Sequence, residues 1–194
     1  MSVNPQNLVQ GPANLYLATF GATEPADSTA TVAGGPPGGV WVDAGGTETA
    51  VMIEEDVKYS QLRVTQIPMD LGARMTDYVV TVSTQMAEVN VANLQWALNQ
   101  LNTVTVSANY TTVDRIVSTP AVQPTYAALI VDGWGPTLAT GQPARWRHII
   151  RKVLSTPKIQ RNYEPGKPVV YDVSFQAFWV SASITPVHEI LQTA

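Results

Sequence analysis

Residues 169–181, VVYDVSFQAFWVS, change character at every step. Val169, Tyr171, Val173, Phe175, Ala177 and Trp179 fall on one side, with Asp172, Ser174 and Gln176 on the other. Successive side chains of an extended chain point to opposite faces, so this alternation marks a strand with one buried and one polar face. Residues 78–86, YVVTVSTQM, repeat it: Tyr78, Val80, Val82, Thr84 and Met86 oppose Val79, Thr81, Ser83 and Gln85. Val and Thr make up nearly a quarter of the chain, which suits pleated, half-buried sheet.

Outward from these two strands, the pattern predicts further short ones at 14–20, 40–43, 48–58, 61–67, 126–132 and 145–155. Turns are expected at Gly45-Gly46, at Gly133-Trp134-Gly135-Pro136 and at 163–167, YEPGK. One helix is predicted over 90–101, followed by a return to strand at 104–107. Val91, Leu94, Leu98 and Leu101, with Ala97, form its apolar stripe; Asn90 caps it and Asn102 ends it. Asn93, Gln95, Asn99 and Gln100 lie on the opposite face. The expected fold class is mainly β, a sandwich or barrel-like domain with one short α-helix.

At 194 residues, one domain is expected. Residues 1–13 read as an N-terminal arm, since Pro5 and Pro12 bar a helix. The domain proper spans 14–182 and carries two excursions. One is a Gly/Pro-rich loop at 21–39 ending GGPPGG; the other is a long loop at 60–76. Structureless loops beyond about 12–15 residues are uncommon and usually functional or disordered. Residues 183–194 read as a C-terminal tail.

Charge separates this chain from an ordinary globule. Only 13% of residues are charged while 45% are hydrophobic; a typical soluble domain carries about 25% charged residues. Thr, Ser, Asn, Gln, Gly and Pro stand in their place, so the surface is polar but largely uncharged. Such surface is glycosylated, sticky or covered by neighbours. A net charge of −4 argues against nucleic-acid binding, which needs clustered Lys and Arg. The absence of cysteine removes disulfides, thiolate metal sites and Cys nucleophiles. No apolar run is long enough to span a membrane, and the polar start lacks the features of a secretory signal. A soluble chain made in the cytoplasm, with no membrane insertion, is the expectation.

Chemistry-bearing constellations are sparse. His148 and His188 belong to no HxH or HExxH spacing, and packed or surface roles are expected for both. Glu54 and Asp56 share a strand face that Glu55 does not; a solvated strand edge is a commoner reason for such a cluster than a glycosidase pair. The glycines of GGPPGG match no phosphate-binding motif. Arg145, Arg147 and Arg151 fall on one strand face, near Lys152 and Lys158, and are expected to meet an acidic strand of a neighbouring subunit. The five tryptophans, Trp41, Trp96, Trp134, Trp146 and Trp179, are spread out as core or interface anchors. The Asn109-Tyr110-Thr111 sequon carries no weight without a secretory signal. No catalytic, cofactor-binding or metal site is expected, and no enzyme activity. An arm, a long Gly/Pro loop and uncharged polar strand faces together describe a self-assembling subunit, because ordering such segments costs about 1–2 kcal/mol per backbone residue unless a neighbour supplies contacts.

Three stretches resemble a known family in the same order. They are 39–66, beginning GVWVDAGGTETAVMI; 85–99, QMAEVNVANLQWALN; and 169–182. They resemble parts of phage tail tube (major tail) proteins, of siphovirus type. Val64-Thr65-Gln66 departs from that pattern, where relatives often place an acidic residue before the glutamine. The resemblance implies a β-sandwich whose inner sheet joins five others into a hexameric ring, and rings that stack into a hollow tube through which DNA passes without specific binding. It implies partners too: further copies of the chain, and tape-measure, tail-terminator and tail-tip proteins. It places the protein in the virion tail, assembled in the host cytoplasm. A lumen that lets DNA slide needs a neutral to acidic wall. Glu54, Asp56, Thr81, Ser83, Gln85, Asp172, Ser174 and Gln176 are the lumen-facing candidates. Arg145, Arg147, Arg151, Trp41, Pro36, Pro37, Leu71 and Arg74 are the inter-subunit candidates, and segments 1–13, 21–39 and 60–76 are expected to make contacts between subunits and rings. The competing expectation is a free-standing carbohydrate-binding β-sandwich, with a hydrolase using Glu54 or Glu55 a remote third.

Overall fold

Alternating burial sets the sheet. A computed structural model describes residues 5–34, 36–63, 69, 71–99, 102–115, 123–156, 159, 161 and 163–193. The strands are β1 (Ala13–Thr19), β2 (Val42–Asp43), β3 (Met52–Leu62) and β4 (Gly72–Met86), then helix α1 (Val91–Ala97). There follow β5 (Asn102–Val106), β6 (Thr111–Arg115), β7 (Ala127–Thr137), β8 (Pro143–Ser155), β9 (Tyr171–Ala177) and β10 (Val187–Leu191). The protein is mainly β, as the alternation requires.

All strand pairs are antiparallel, and the main sheet runs β2-β1-β7-β8-β9-β4-β3. One edge of β8 is taken by β7. Its other edge is shared: β10 pairs from Val187↔Ile150 to Leu191↔Trp146, and β9 from Val153↔Ala177 to Ser155↔Phe175. That division lets the β1–β7–β8 half and the β9–β4 half pack face to face. Leu15, Leu17, Leu129, Val131, Ile150 and Val153 from one half meet Val82, Met86, Tyr171, Val173 and Phe175 from the other. Leu94 and Ala97 of α1 complete this core. Each such side chain, taken from water, contributes about 1.5–3 kcal/mol. A second apolar cluster, Tyr16, Ala18, Trp41, Ala128, Ile130 and Ile149, lies on the outer face of the β1–β7–β8 half.

Several boundaries correct the sequence reading. The expected strands at 48–58 and 61–67 and the loop at 60–76 are one long hairpin. The ladder runs out through Ser60↔Arg74 to Leu62↔Gly72, with an irregularity between Lys58 and Tyr59. Nothing in Ser60-Gln61 breaks a strand. Gly133-Trp134-Gly135 continues β7 instead of turning, and at Gly135 the missing side chain leaves room for Leu191. The expected tail at 183–194 contains β10. The strand expected over 169–181 ends at Ala177, and Trp179 is 69% exposed, off the buried face.

The helix is seven residues long, capped as expected by Asn90, whose Oδ1 accepts from the Asn93 amide at 2.8 Å. It stops before 101 because Asn99 turns left-handed at φ 53 and binds Ser155 through its side chain. Asn93 was expected on the exposed polar face and is buried instead. Its Nδ2 donates to the carbonyls of Ala44 at 2.8 Å and Glu88 at 2.9 Å, tying α1 to the Gly45-Gly46 turn. Residues 1–4 of the arm, 64–67 of the second expected strand, Gln100, Leu101 and Lys158 lie outside the described residues.

Candidate functional site

The eight candidate lumen residues converge on one surface. Cross-strand partners in an antiparallel pair share a face. The register runs Glu54↔Thr81↔Gln176, then Met52↔Ser83↔Ser174, then Gln85↔Asp172, with Asp56 opposite Val79. This is the outward face of β3, β4 and β9; their inward face carries Val80, Val82, Met86, Val173 and Phe175. The rows are tied laterally: Gln85 Nε2 donates to Asp172 Oδ1 at 2.6 Å. Over 52–56, 79–85 and 172–176 this face holds three carboxylates and no cationic residue of its own. Lys58, further along β3, reaches Asp56 at 3.7 Å and Asp77 at 3.3 Å, and those carboxylates raise its pKa. Glu55 points the opposite way, where the Tyr78 hydroxyl donates to its Oε2 at 2.7 Å.

Among the described residues strand β3 pairs only with β4, so along its eleven residues the other edge has no described strand beside it. Beyond the sandwich the hairpin it forms with β4 carries exposed Tyr59, Leu62, Met69, Leu71 and Met75. Leu71 and Arg74, both inter-subunit candidates, lie on this projection and are exposed.

The basic strand is placed differently from expectation. Arg145, Arg147 and Arg151 do lie along β8, but they find partners within their own chain. Arg147 is fully buried: its Nη2 donates to Asp132 Oδ2 at 2.9 Å and its Nη1 to Thr29 Oγ1 at 3.1 Å. Arg145 Nε lies 3.6 Å from the other Asp132 oxygen. Arg151 forms a fork on Glu24, at 2.5 and 2.9 Å, and also reaches Thr185; the Glu24 hydrogen bond raises its pKa. Arg147 is therefore withdrawn as an inter-subunit residue. Burying a guanidinium demands a carboxylate at hand, and Asp132, its cross-strand neighbour, supplies one.

Those partners sit on the 21–39 segment, which is folded back over the outer face of β1, β7 and β8. It contains two short 3-10 turns, Asp27–Thr29 and Val32–Gly34. Trp41 is 7% exposed and its Nε1 donates to the Thr23 carbonyl at 2.9 Å, so it anchors this strap in the second core and presents no free face to a neighbour. Pro37 is buried while Pro36 is exposed. His188 Nε2 lies 3.3 Å from Asp27 on the strap, and His148 Nδ1 lies 3.3 Å from Glu189.

Three features escaped the sequence reading. Asp132 read as an ordinary strand residue. Tyr78 was placed among core positions, yet it is partly exposed, and burial of its hydroxyl, then the Glu55 hydrogen bond and charge, push its pKa up to about 12. Lys152 lies over the rings of Tyr126 at 4.3 Å and Phe20 at 5.4 Å, with Phe178 edge-on to Tyr126. None has a local signal, because each depends on strands far apart in sequence. Among the described residues no three His, Asp or Glu side chains gather closely enough to hold a metal ion. Compared with known proteins, the chain matches no family model and no curated protein.

Proposed function

We propose that the chain is the subunit of a phage tail tube, a structural protein that closes into rings and stacks them around a channel for DNA. The observation that carries this reading is the outward face of β3, β4 and β9: carboxylates, amides and hydroxyls in register, next to a strand edge with no described strand beside it. An open edge invites pairing and is a hazard to an isolated molecule; closure of strands into a ring removes it. A wall of this composition holds no phosphate in place and lets a polyanion move.

The extent of the surface supports the same reading. The chain exposes 12,300 Å², about a third more than the roughly 9,000 Å² expected for a compact monomer of its mass. The β3–β4 hairpin beyond the sandwich and the N-terminal segment, where Gln6 to Pro12 are exposed, are part of that surface. With so few charges, that surface suits burial against copies of itself. Negative-stain electron microscopy with sedimentation tests the reading. Stacked rings or tubes that grow with concentration are the expected result; isolated particles at every concentration and salt would overturn it.

A further inference from the structure

We propose that the cavity on the outer face of β1, β7 and β8 binds a medium-chain apolar carboxylate, with its head group on Lys152. The cavity is about 350 Å³, walled by Phe20, Ala22, Trp41, Ala128, Ile149 and Ile184. It opens at a rim where Phe20 is 43% and Ile184 45% exposed. An apolar cavity of about 150 Å³ accepts benzene, so this one has room for a chain of about eight to ten carbons. All of these walls belong to one chain, so the site does not depend on assembly.

Charge decides the head group. Glu24 and Arg151 line the cavity and neutralise each other: Arg151 donates through Nε and Nη2 to the two Glu24 oxygens, and through Nη1 to Thr185. Lys152 is the cation left over. The pairs Leu129↔Ile150 and Ala127↔Val153 leave Arg151 and Lys152 both opposite Ala128, a bulge that sets two consecutive cations beside one cavity wall. Lys152 Nζ lies 5.4 Å from the centre of the Phe20 ring and 4.3 Å from that of Tyr126. Among the described residues no carboxylate lies within ion-pair distance of it. Ring faces attract an ammonium without engaging its N–H groups in ordinary hydrogen bonds, so its three donors remain free for an anion. One lysine matches one negative charge, and Glu24 nearby disfavours a doubly charged head such as a phosphate ester.

Equilibrium dialysis of the full chain against hexanoate, octanoate, decanoate and octan-1-ol tests the site. The expected result is one saturable site per chain, with affinity rising about three- to fourfold per methylene. Octan-1-ol, which lacks the charge, is expected to bind about tenfold more weakly than octanoate. Lys152→Met keeps an apolar stem over the rings and removes the ammonium. It should weaken octanoate by about tenfold and leave octan-1-ol unchanged, whereas Lys152→Arg should retain octanoate. Ile184→Asp sets a like charge at the exposed rim and should weaken octanoate by about the same factor, with the far-ultraviolet circular dichroism of the wild type. The absence of saturable binding, equal affinity for acid and alcohol, or an octanoate affinity unmoved by Lys152→Met or by Ile184→Asp would overturn the site.

Discussion

Asp132 and Arg147 face each other across β7 and β8 with neither side chain reaching water, joined by a 2.9 Å contact from Nη2 to Oδ2. A buried pair of this kind is costly to break because the surviving charge is left without a counterion. Asp132→Ala is expected to destabilise the fold by about 3–5 kcal/mol, and the double change Asp132→Leu/Arg147→Met by far less. Urea unfolding of the three proteins checks this. A loss below about 1 kcal/mol for the single variant would mean that the pair is solvated.

Asn93 plays a comparable part at the other end of the sandwich. Its side chain satisfies two carbonyls, those of Ala44 and Glu88, on the two segments that the single Thr47↔Met86 bridge joins. Asn93→Leu preserves volume and helix propensity but leaves both acceptors unpaired, so a loss of at least about 2 kcal/mol is expected. Hydrogen exchange should locate it: the amides of the Gly45-Gly46 turn and of α1 should lose protection together. Protection lost in α1 alone would show that the side chain does not couple them.

The Tyr78 hydroxyl gives a spectroscopic prediction. Burial first, then Glu55, hold its pKa at about 12 against 10.0 for a free phenol. The folded value is the higher one, so the stability it contributes is complete below pH 10 and is lost as pH rises from there through 12. An ultraviolet tyrosinate titration should lose its uppermost component in Tyr78→Phe. Glu55→Gln should lower that component yet leave it above 10.0, since burial is the larger cause. An upper limb unchanged by Tyr78→Phe would refute the assignment.

What the sequence made legible is what period-two alternation encodes. Tyr171, Val173 and Phe175 are buried, and Asp172, Ser174 and Gln176 face outward, as their positions require. The register that gathers Glu54, Thr81 and Gln176 into one row was not legible, because pairing partners 27 and 95 residues apart leave no local mark. Only the shared polar character of the three segments hinted at it. Arg147 shows the opposite failure. Alternation put it beside Arg145 and Arg151, correctly, but alternation says nothing about what covers a face. The glycines and prolines of 21–39 suggest a loop that reaches for neighbouring subunits, yet Glu24, Asp27 and Thr29 within it are the partners of Arg151, His188 and Arg147.

The outward face of β3, β4 and β9 can be tested by inverting its charge. Duplex DNA carries one negative charge per about 1.7 Å of axis, and every lysine that neutralises a phosphate makes binding salt-dependent. Glu54 and Asp172 lie two rows apart on the same face of the three strands, so Glu54→Lys/Asp172→Lys plants two cations on this face in each subunit of each ring. Glu54 is exposed and has no partner among the described residues; Asp172 gives up one hydrogen bond from Gln85. Tubes should therefore form normally while genome ejection slows by about tenfold or more at low salt. Speed should return as ionic strength rises, since the screening length falls from about 30 Å at 0.01 M to about 10 Å at 0.1 M. Glu54→Gln/Asp172→Asn should leave ejection fast, and Glu164→Lys, on the exposed turn before β9, should have no effect. Intact tubes that eject DNA at the wild-type rate at every salt concentration would show that this face does not line the channel.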